Sequence, residues 1–129
     1  MGGLRWLLFL VVLGVWTWKL LEPIPVPAHI TRELSDALRW LLAKALHLTA
    51  YAVLTLLALG LPQRPWGPRF LVGLLAVHAV ATEIGQAFVP GRTCSIFDVL
   101  IDWLGIGGGL WLYRRRIRPP DHSKPQDPL

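Results

Sequence analysis

The composition of this chain indicates a single small membrane domain. Its 129 residues are 53% hydrophobic and 16% charged, and the mean hydropathy is +0.48, which is too apolar for a soluble domain of this length. The net charge of +5 comes from basic residues gathered near the C-terminus, as is typical beside a last membrane span, so we expect no nucleic-acid partner. The single cysteine, Cys94, excludes an intrachain disulfide.

Residues 6–21 form the first predicted membrane span. At about 1.5 Å per residue the run is about 24 Å long, which is short for a bilayer unless its charged ends extend to the surface. A cleaved signal peptide is the alternative. We favour a span because Trp16, Trp18 and Lys19 are typical interfacial anchors and no small-x-small cleavage site follows.

The next segment predicts an extended connection and then a short interfacial helix. Prolines alternate within residues 22–30, which keeps the backbone extended and ends the first helix. From Thr31, a candidate N-cap, leucines recur on one face and charged residues occupy the other. We therefore expect a short amphipathic helix in the first outer loop, lying in the membrane interface.

Three further spans are predicted at residues 40–61, 70–88 and 96–113. Ser95 is the expected N-cap of the last span, and Gly105 and Gly109 form a small-xxx-small pattern that lets another helix approach closely. The predicted fold is all-α, a four-transmembrane-helix bundle in residues 1–113. Residues 114–129 form a basic, then proline-rich tail that we expect to be disordered and cytoplasmic.

The distribution of basic residues predicts that both termini are cytoplasmic, because eight Lys and Arg then flank the inner ends of the spans and four the outer ends. Polar residues of separate spans would then meet in the outer half of the membrane. These residues are Lys44, His47 and Tyr51 in the second span, Glu83 and Gln86 in the third, and Asp98 and Asp102 in the fourth. With Arg92 and Ser95 from the last turn, we expect them to form an outward-facing polar cleft.

Ionisable groups inside a membrane favour a ligand or substrate site. Each costs about 2.5 to 3.5 kcal/mol unless it finds a partner. The alternative is that these groups pair with one another only to set helix register. Lys44 and Arg92 stand against three carboxylates, so a proton on His47 or a bound cation would balance the charge. No metal site is predicted, because the four histidines are widely dispersed.

The order of these polar residues resembles that of the VanZ-like membrane proteins. The pattern is Lys44-x-x-His47-x-x-x-Tyr51, then Glu83-x-x-Gln86 with Pro90-Gly91-Arg92, then Ser95-x-x-Asp98 and a glycine-rich helix. It covers residues 20–113, and it departs from the family at Asp102, where a small polar residue such as Asn is expected. The resemblance implies a four-helix protein of the bacterial inner membrane, in a family whose founding member is associated with reduced susceptibility to the lipoglycopeptide teicoplanin.

Residues and resemblance together predict a binding or regulatory protein of the cell envelope. The expected ligand is a lipid-linked cell-wall intermediate or a lipophilic glycopeptide, whose phosphate or carboxylate would meet Lys44 and Arg92. The alternative is an intramembrane hydrolase or transferase acting on a lipid head group, with Glu83 or Asp98 as general base and His47 as acid. A proton-coupled carrier is disfavoured, because the charges lie in one half of the membrane. We expect membrane lipids as partners and no cofactor.

Overall fold

Four helices form the described part of this computed structural model, which covers residues 2–23, 35–61 and 67–117. They are α1 (Gly2–Leu21), α2 (Asp36–Leu59), α3 (Pro68–Gln86) and α4 (Ile96–Ile117). Each is long and apolar enough to cross a membrane, and each leaves large apolar side chains exposed, as expected where lipid is the solvent. Within these ranges there is no strand, so the predicted all-helical architecture is confirmed.

The helix ends differ by a few residues from the predicted spans, because caps and terminal charges decide where a helix stops. The Oγ of Ser35 caps α2 by accepting a hydrogen bond from the backbone N–H of Leu38 at 3.3 Å. At its C-terminal end, α4 continues through three arginines to Ile117. Cations stabilise the C-terminal end of a helix, and the Arg115 guanidinium also lies 3.9 Å from the ring centre of Trp111.

The predicted interfacial helix is not seen as a separate element. Residues 24–34, which include its proposed start at Thr31, lie outside the described residues, as do residues 118–129 of the predicted tail. From Asp36 onward the segment belongs to α2, whose first turns are exposed. A helix of 24 residues is about 36 Å long, against about 30 Å for the hydrocarbon layer. The extra length places the Asp36 and Arg39 ion pair at the end of the span.

The most extensive contact of the bundle joins α2 and α4, which run in the same direction. A side chain added at Gly105 would collide with the backbone of Leu48, and a Cβ at Gly109 would lie 2.6 Å from the carbonyl oxygen of Ala52. Neither position has room for a side chain, so the close approach predicted from the glycine spacing is present. This glycine contact sets the register between α2 and α4.

The bundle interior is polar towards one end and apolar towards the other. The polar end is where α1 and α3 finish and where α2 and α4 begin. α1 and α3 also run in the same direction, since Thr17 contacts His78 and a Cβ on Gly85 would meet Leu21. The interior near the opposite end is filled by Phe9, Ala58, Leu61, Leu71 and Leu75.

Candidate functional site

Two side-chain pairs join α2 to α4 at the polar end. Lys44 Nζ contacts Asp98 Oδ1, and His47 Nδ1 lies 2.9 Å from Asp102 Oδ1. Lys44 and His47 are three residues apart on α2, and the two aspartates are four apart on α4, so each couple occupies one face of its helix. Because the helices are parallel, the two pairs are stacked one above the other along the contact.

The two pairs differ in how much of them can be reached from outside. The side chains of Lys44 and Asp98 remain 17% and 11% exposed, so this pair forms the rim of the site. In the inner pair the His47 side chain is 11% exposed, and the Asp102 side chain is 1% exposed. Trp16 from α1 covers the inner pair, with its ring edge-to-face against His47 at 5.5 Å between ring centres. A molecule approaching the polar end therefore meets the rim pair first.

A third carboxylate comes from α3. Glu83 is 2% exposed, and its Oε1 accepts a hydrogen bond from the backbone N–H of Ser95, the residue before α4. The charges of Asp98, Asp102 and His47 are close enough to act on Glu83. Within the described residues Glu83 has no cationic partner. The polar cluster is defined here as Lys44, His47, Glu83, Asp98 and Asp102.

Arg92 lies beside the polar cluster but directs its hydrogens elsewhere. Its Nε donates to the carbonyl oxygen of Glu22 at 3.1 Å, and its Nη2 donates to that of Lys19 at 2.8 Å. The guanidinium thus satisfies carbonyls at the C-terminal end of α1, where a cation is favourable. Burial lowers the pKa of Arg92 from its ordinary value, while the charges of Glu22 and Glu83 act in the opposite direction. In this structure its hydrogen bonds hold the last loop to α1.

The remaining predicted site residues occupy different positions around the cluster. Gln86 is 3% exposed and lies one turn beyond Glu83 on the buried face of α3, and its Nε2 has no hydrogen-bond partner within the described residues. Ser95 contributes its backbone N–H to Glu83. Tyr51 is fully buried, one turn deeper than His47. The predicted residues therefore lie at or next to the polar end, and ligand binding by them stays a prediction.

Tyr51 belongs to a second polar network, termed the central chain, which joins α1, α2 and α3. The Tyr51 hydroxyl lies 3.0 Å from His78 Nδ1 and 3.4 Å from Thr82 Oγ1. On its other side His78 contacts Thr17, with 2.8 Å between Nε2 and Oγ1. The Trp16 ring touches both His47 and Tyr51 edge-to-face, so it lies between the central chain and the polar cluster.

For a neutral His78 ring, counting hydrogens gives a consistent arrangement of donors and acceptors. Thr17 has one hydroxyl hydrogen, and the carbonyl oxygen of Leu13, 2.7 Å away, can only accept it. With that hydrogen on Leu13, His78 Nε2 donates to Thr17, and Nδ1 accepts from the Tyr51 hydroxyl. Thr82 donates to the carbonyls of its own helix. The central chain is thus a neutral network in which each polar group has a partner.

The candidate site residues predicted from the sequence do not include His78 or the two threonines of the central chain, Thr17 and Thr82. Both are isolated hydroxyl residues within apolar spans, and this isolation is a weak indication of a helix-to-helix hydrogen bond. The indication is weak because a threonine can also donate to the carbonyl of its own helix, as both of these do.

His47 is oriented for proton transfer. An ionised carboxylate can only accept a hydrogen bond, so the Nδ1 facing Asp102 carries the hydrogen. In a neutral ring the lone pair then lies on Nε2, and no described residue is hydrogen-bonded to that atom. This is the arrangement of a general base held by a carboxylate. Across residues 2–23, 35–61 and 67–117, no three His, Cys, Asp or Glu side chains are grouped so as to hold a metal ion.

Comparison with known proteins places the chain in one family. The family model described as VanZ/LLP1 matches residues 6–118, which include all four helices except the first residues of α1. No curated protein matches the sequence. No solved structure matches it either.

Proposed function

Because the chain belongs to the VanZ/LLP1 family, we propose that it is a multi-pass protein of the bacterial inner membrane that binds an amphiphilic molecule of the cell envelope. The polar part of the ligand would bind at the polar cluster. The candidate ligands are a lipid-linked cell-wall intermediate and a lipophilic glycopeptide such as teicoplanin. The observation that carries the proposal is the rim pair, Lys44 and Asp98, which opens a buried group of charges to the surface.

Architecture alone does not account for this group of charges. The glycine contact at Gly105 and Gly109 already sets the register of α2 against α4, and the central chain already connects α1, α2 and α3. Buried ion pairs add little to stability compared with apolar side chains of similar volume. Ionisable residues inside a membrane usually mark a ligand or a pathway, which supports binding as the role of the polar cluster.

The proposal requires the polar end to face outward, with both termini in the cytoplasm, as the distribution of basic residues predicts. Cys94 offers a direct test, because it is the single cysteine of the chain and is exposed at the polar end. A membrane-impermeant maleimide should label Cys94 on intact cells. A Cys94→Ser/Ser123→Cys variant, with its cysteine in the predicted cytoplasmic tail, should be labelled only after the cells are opened. The reverse pattern would contradict the orientation.

The functional test is protection of a teicoplanin-sensitive Gram-positive host. Expression of the parent chain should lower susceptibility, and Asp98→Asn and Glu83→Gln should abolish that effect at equal membrane levels. The matched control is Asp36→Asn, which makes the same chemical change on a side chain that is 97% exposed and outside the polar cluster. Equal protection by all four proteins would show that the cluster has no part in this role.

A second candidate function is an intramembrane hydrolase or transferase acting on a lipid head group. The specific observation in its favour is the orientation of His47 by Asp102, which leaves Nε2 available as a base. The test is incubation of the purified protein with labelled phospholipids and lipid-linked precursors. Product formation that disappears in His47→Ala and Glu83→Gln would support an enzyme, and no product across the panel would argue against it.

A further inference from the structure

The polar cluster contains more negative than positive groups. Lys44 is its one permanently cationic side chain, and it stands against the carboxylates of Glu83, Asp98 and Asp102. In sequence Arg92 is a second candidate counter-charge. In the structure its Nε and Nη2 donate to carbonyl oxygens of α1, and it forms no ion pair with a carboxylate of the cluster. Arg92 therefore acts on Glu83 through its charge, without a direct ion pair.

Glu83 is the carboxylate of the cluster that forms no ion pair within the described residues. Asp98 is paired with Lys44 and Asp102 with His47. In the described part of the chain, Glu83 accepts one hydrogen bond, from the backbone N–H of Ser95, and it is 2% exposed. An ionised carboxylate in such surroundings requires a positive charge close by, since its desolvation is otherwise uncompensated. Within the described residues, therefore, no cationic side chain forms an ion pair with Glu83 on α3.

Gln86 adds an independent indication that the site binds a ligand. It lies on the buried face of α3, three residues beyond Glu83, and its Nε2 is buried with no acceptor within the described residues. A buried amide N–H without a partner is rare in folded proteins. An occupant that supplied an acceptor oxygen close to its positive charge would satisfy both Gln86 and Glu83.

Within the described residues no three His, Cys, Asp or Glu side chains are grouped as ligands of a metal ion. A primary ammonium fits the cluster, since its three N–H donors can reach carboxylates on two helices. The surface next to the rim is apolar: Trp40, one turn before Lys44, is 61% exposed, and Phe97, beside Asp98, is 69% exposed. Acyl chains can therefore lie against the bundle while the head group enters the polar end.

We propose that the polar cluster binds the head group of an amphiphile with a primary ammonium and a nearby acceptor oxygen, and that anionic head groups without an amine are poor ligands. This inference rests on the proposed function, which it narrows to one ligand chemistry. Phosphatidylethanolamine has this chemistry, as its ammonium is two carbons from a phosphate ester. The same chemistry could also come from a soluble amine such as phosphoethanolamine.

The test is a native mass spectrometry titration of the full chain in detergent. The probes are dioleoyl phosphatidylethanolamine, its N-acetyl derivative, which lacks the charge, and dioleoyl phosphatidylglycerol, which lacks the amine. Phosphatidylethanolamine should bind about tenfold more tightly than either of the others. Phosphoethanolamine added as a competitor distinguishes the sources: displacement of the lipid assigns the site to the head group alone, and persistence of the lipid complex shows that the acyl chains are also required.

Three variants locate the preference in the cluster. Glu83→Gln should abolish it, and the control Asp36→Asn should keep it. Lys44→Gln should keep or strengthen it, because Asp98 loses its internal partner, whereas an anion site would lose its binding residue. Thermal unfolding of each variant shows that it is folded. If one variant does not fold, the inference is still tested by comparing the binding of phosphatidylethanolamine and of its N-acetyl derivative to the parent chain.

The outcomes separate this inference from the proposed function. Tighter binding of phosphatidylglycerol that is lost in Lys44→Gln would overturn the inference and leave a ligand site at the cluster. Equal binding of all three lipids to the parent chain would overturn it as well, because protons would then balance the carboxylates. If no binding of any amphiphile, including teicoplanin, responded to a substitution in the cluster, the proposed function itself would fail.

Discussion

The polar cluster and the central chain are adjacent in the same bundle, yet they treat buried polar groups in opposite ways. In the central chain, Thr17, His78 and Tyr51 form a neutral network in which donors match acceptors. In the polar cluster three carboxylates stand against Lys44, and within the described residues Glu83 forms no ion pair and accepts the backbone N–H of Ser95. Trp16 lies between the two regions.

The difference shows how a structural polar network can be distinguished from a candidate binding site. A network that is already satisfied gains nothing from a ligand, so its role is to connect helices. A group of buried charges that do not balance one another is stabilised by a bound ligand of the opposite charge. Substitutions should therefore lower stability in the central chain, while in the cluster they should change binding.

The largest effect is expected from Gly105→Ala, which should disturb the polar cluster and leave the central chain intact. The new Cβ would lie within 3.2 Å of Leu48 Cα, and such overpacking costs about 3 kcal/mol. Because α4 would move away from α2, the ion pairs of the cluster should loosen, while the central chain, which does not involve α4, should persist. Thermal unfolding measures the loss, and ¹⁵N-histidine NMR should show His47 signals shifting and His78 signals unchanged.

The control for that change is Gly107→Ala, at a glycine of α4 with nothing within 4 Å of an added Cβ. Its stability should be unchanged or slightly higher, because alanine favours a helix by about 1 kcal/mol over glycine. Unfolding of both variants at the same temperature would mean that the glycine contact does not hold α2 and α4 together.

An intermediate effect is expected from Tyr51→Phe in the central chain. The variant keeps the ring but leaves His78 Nδ1 without its donor, which should lower the free energy of unfolding by about 2 kcal/mol. Chemical denaturation measures this, and lipid binding at the cluster should not change. Tyr113→Phe makes the same change near the end of α4, where the residue is partly exposed, and should have little effect. A clear loss of lipid binding in Tyr51→Phe would show that the central chain and the polar cluster form one binding site.

The smallest effect on stability, with the opposite sign, is expected from Glu83→Gln in the cluster. The amide oxygen can still accept the N–H of Ser95, and a charge without a cationic partner is removed. The protein should become more stable by about 1 kcal/mol while losing its preference for ammonium lipids. The matched control is Glu22→Gln, whose carboxylate pairs with exposed Lys19 at 2.6 Å and should contribute little. Destabilisation by Glu83→Gln would mean that groups of the protein itself already compensate the charge of Glu83.

Much of the fold could be predicted because each helix is a local property of the chain. The hydropathy of the four spans and the close approach at Gly105 and Gly109 follow from residue types at short spacing, and both predictions are confirmed. The order of polar residues also identified the family, which the match over residues 6–118 confirms. The interfacial helix was harder to predict, since a continuous α2 can include the same amphipathic turns.

The partners of the polar residues could not be predicted with the same success. Lys44, His47, Asp98 and Asp102 were expected to lie together, but their spacing allows more than one pairing. Arg92 was expected to face a ligand, and in the structure it satisfies carbonyls of α1. A change of one residue in the register of α4, or a rotation of α1, would have produced different contacts from the same sequence.

The sequence by itself determined that the chain forms four membrane helices and that their ionisable residues lie near one end, because hydropathy and helical spacing act over a few turns. The tertiary structure decided which charge meets which. That outcome depends on the rotation and relative depth of whole helices, and these are set by contacts between residues far apart in sequence, such as Gly105 with Leu48 and Thr17 with His78. The unbalanced carboxylate of Glu83 and the saturated ring of His78 are consequences of that packing.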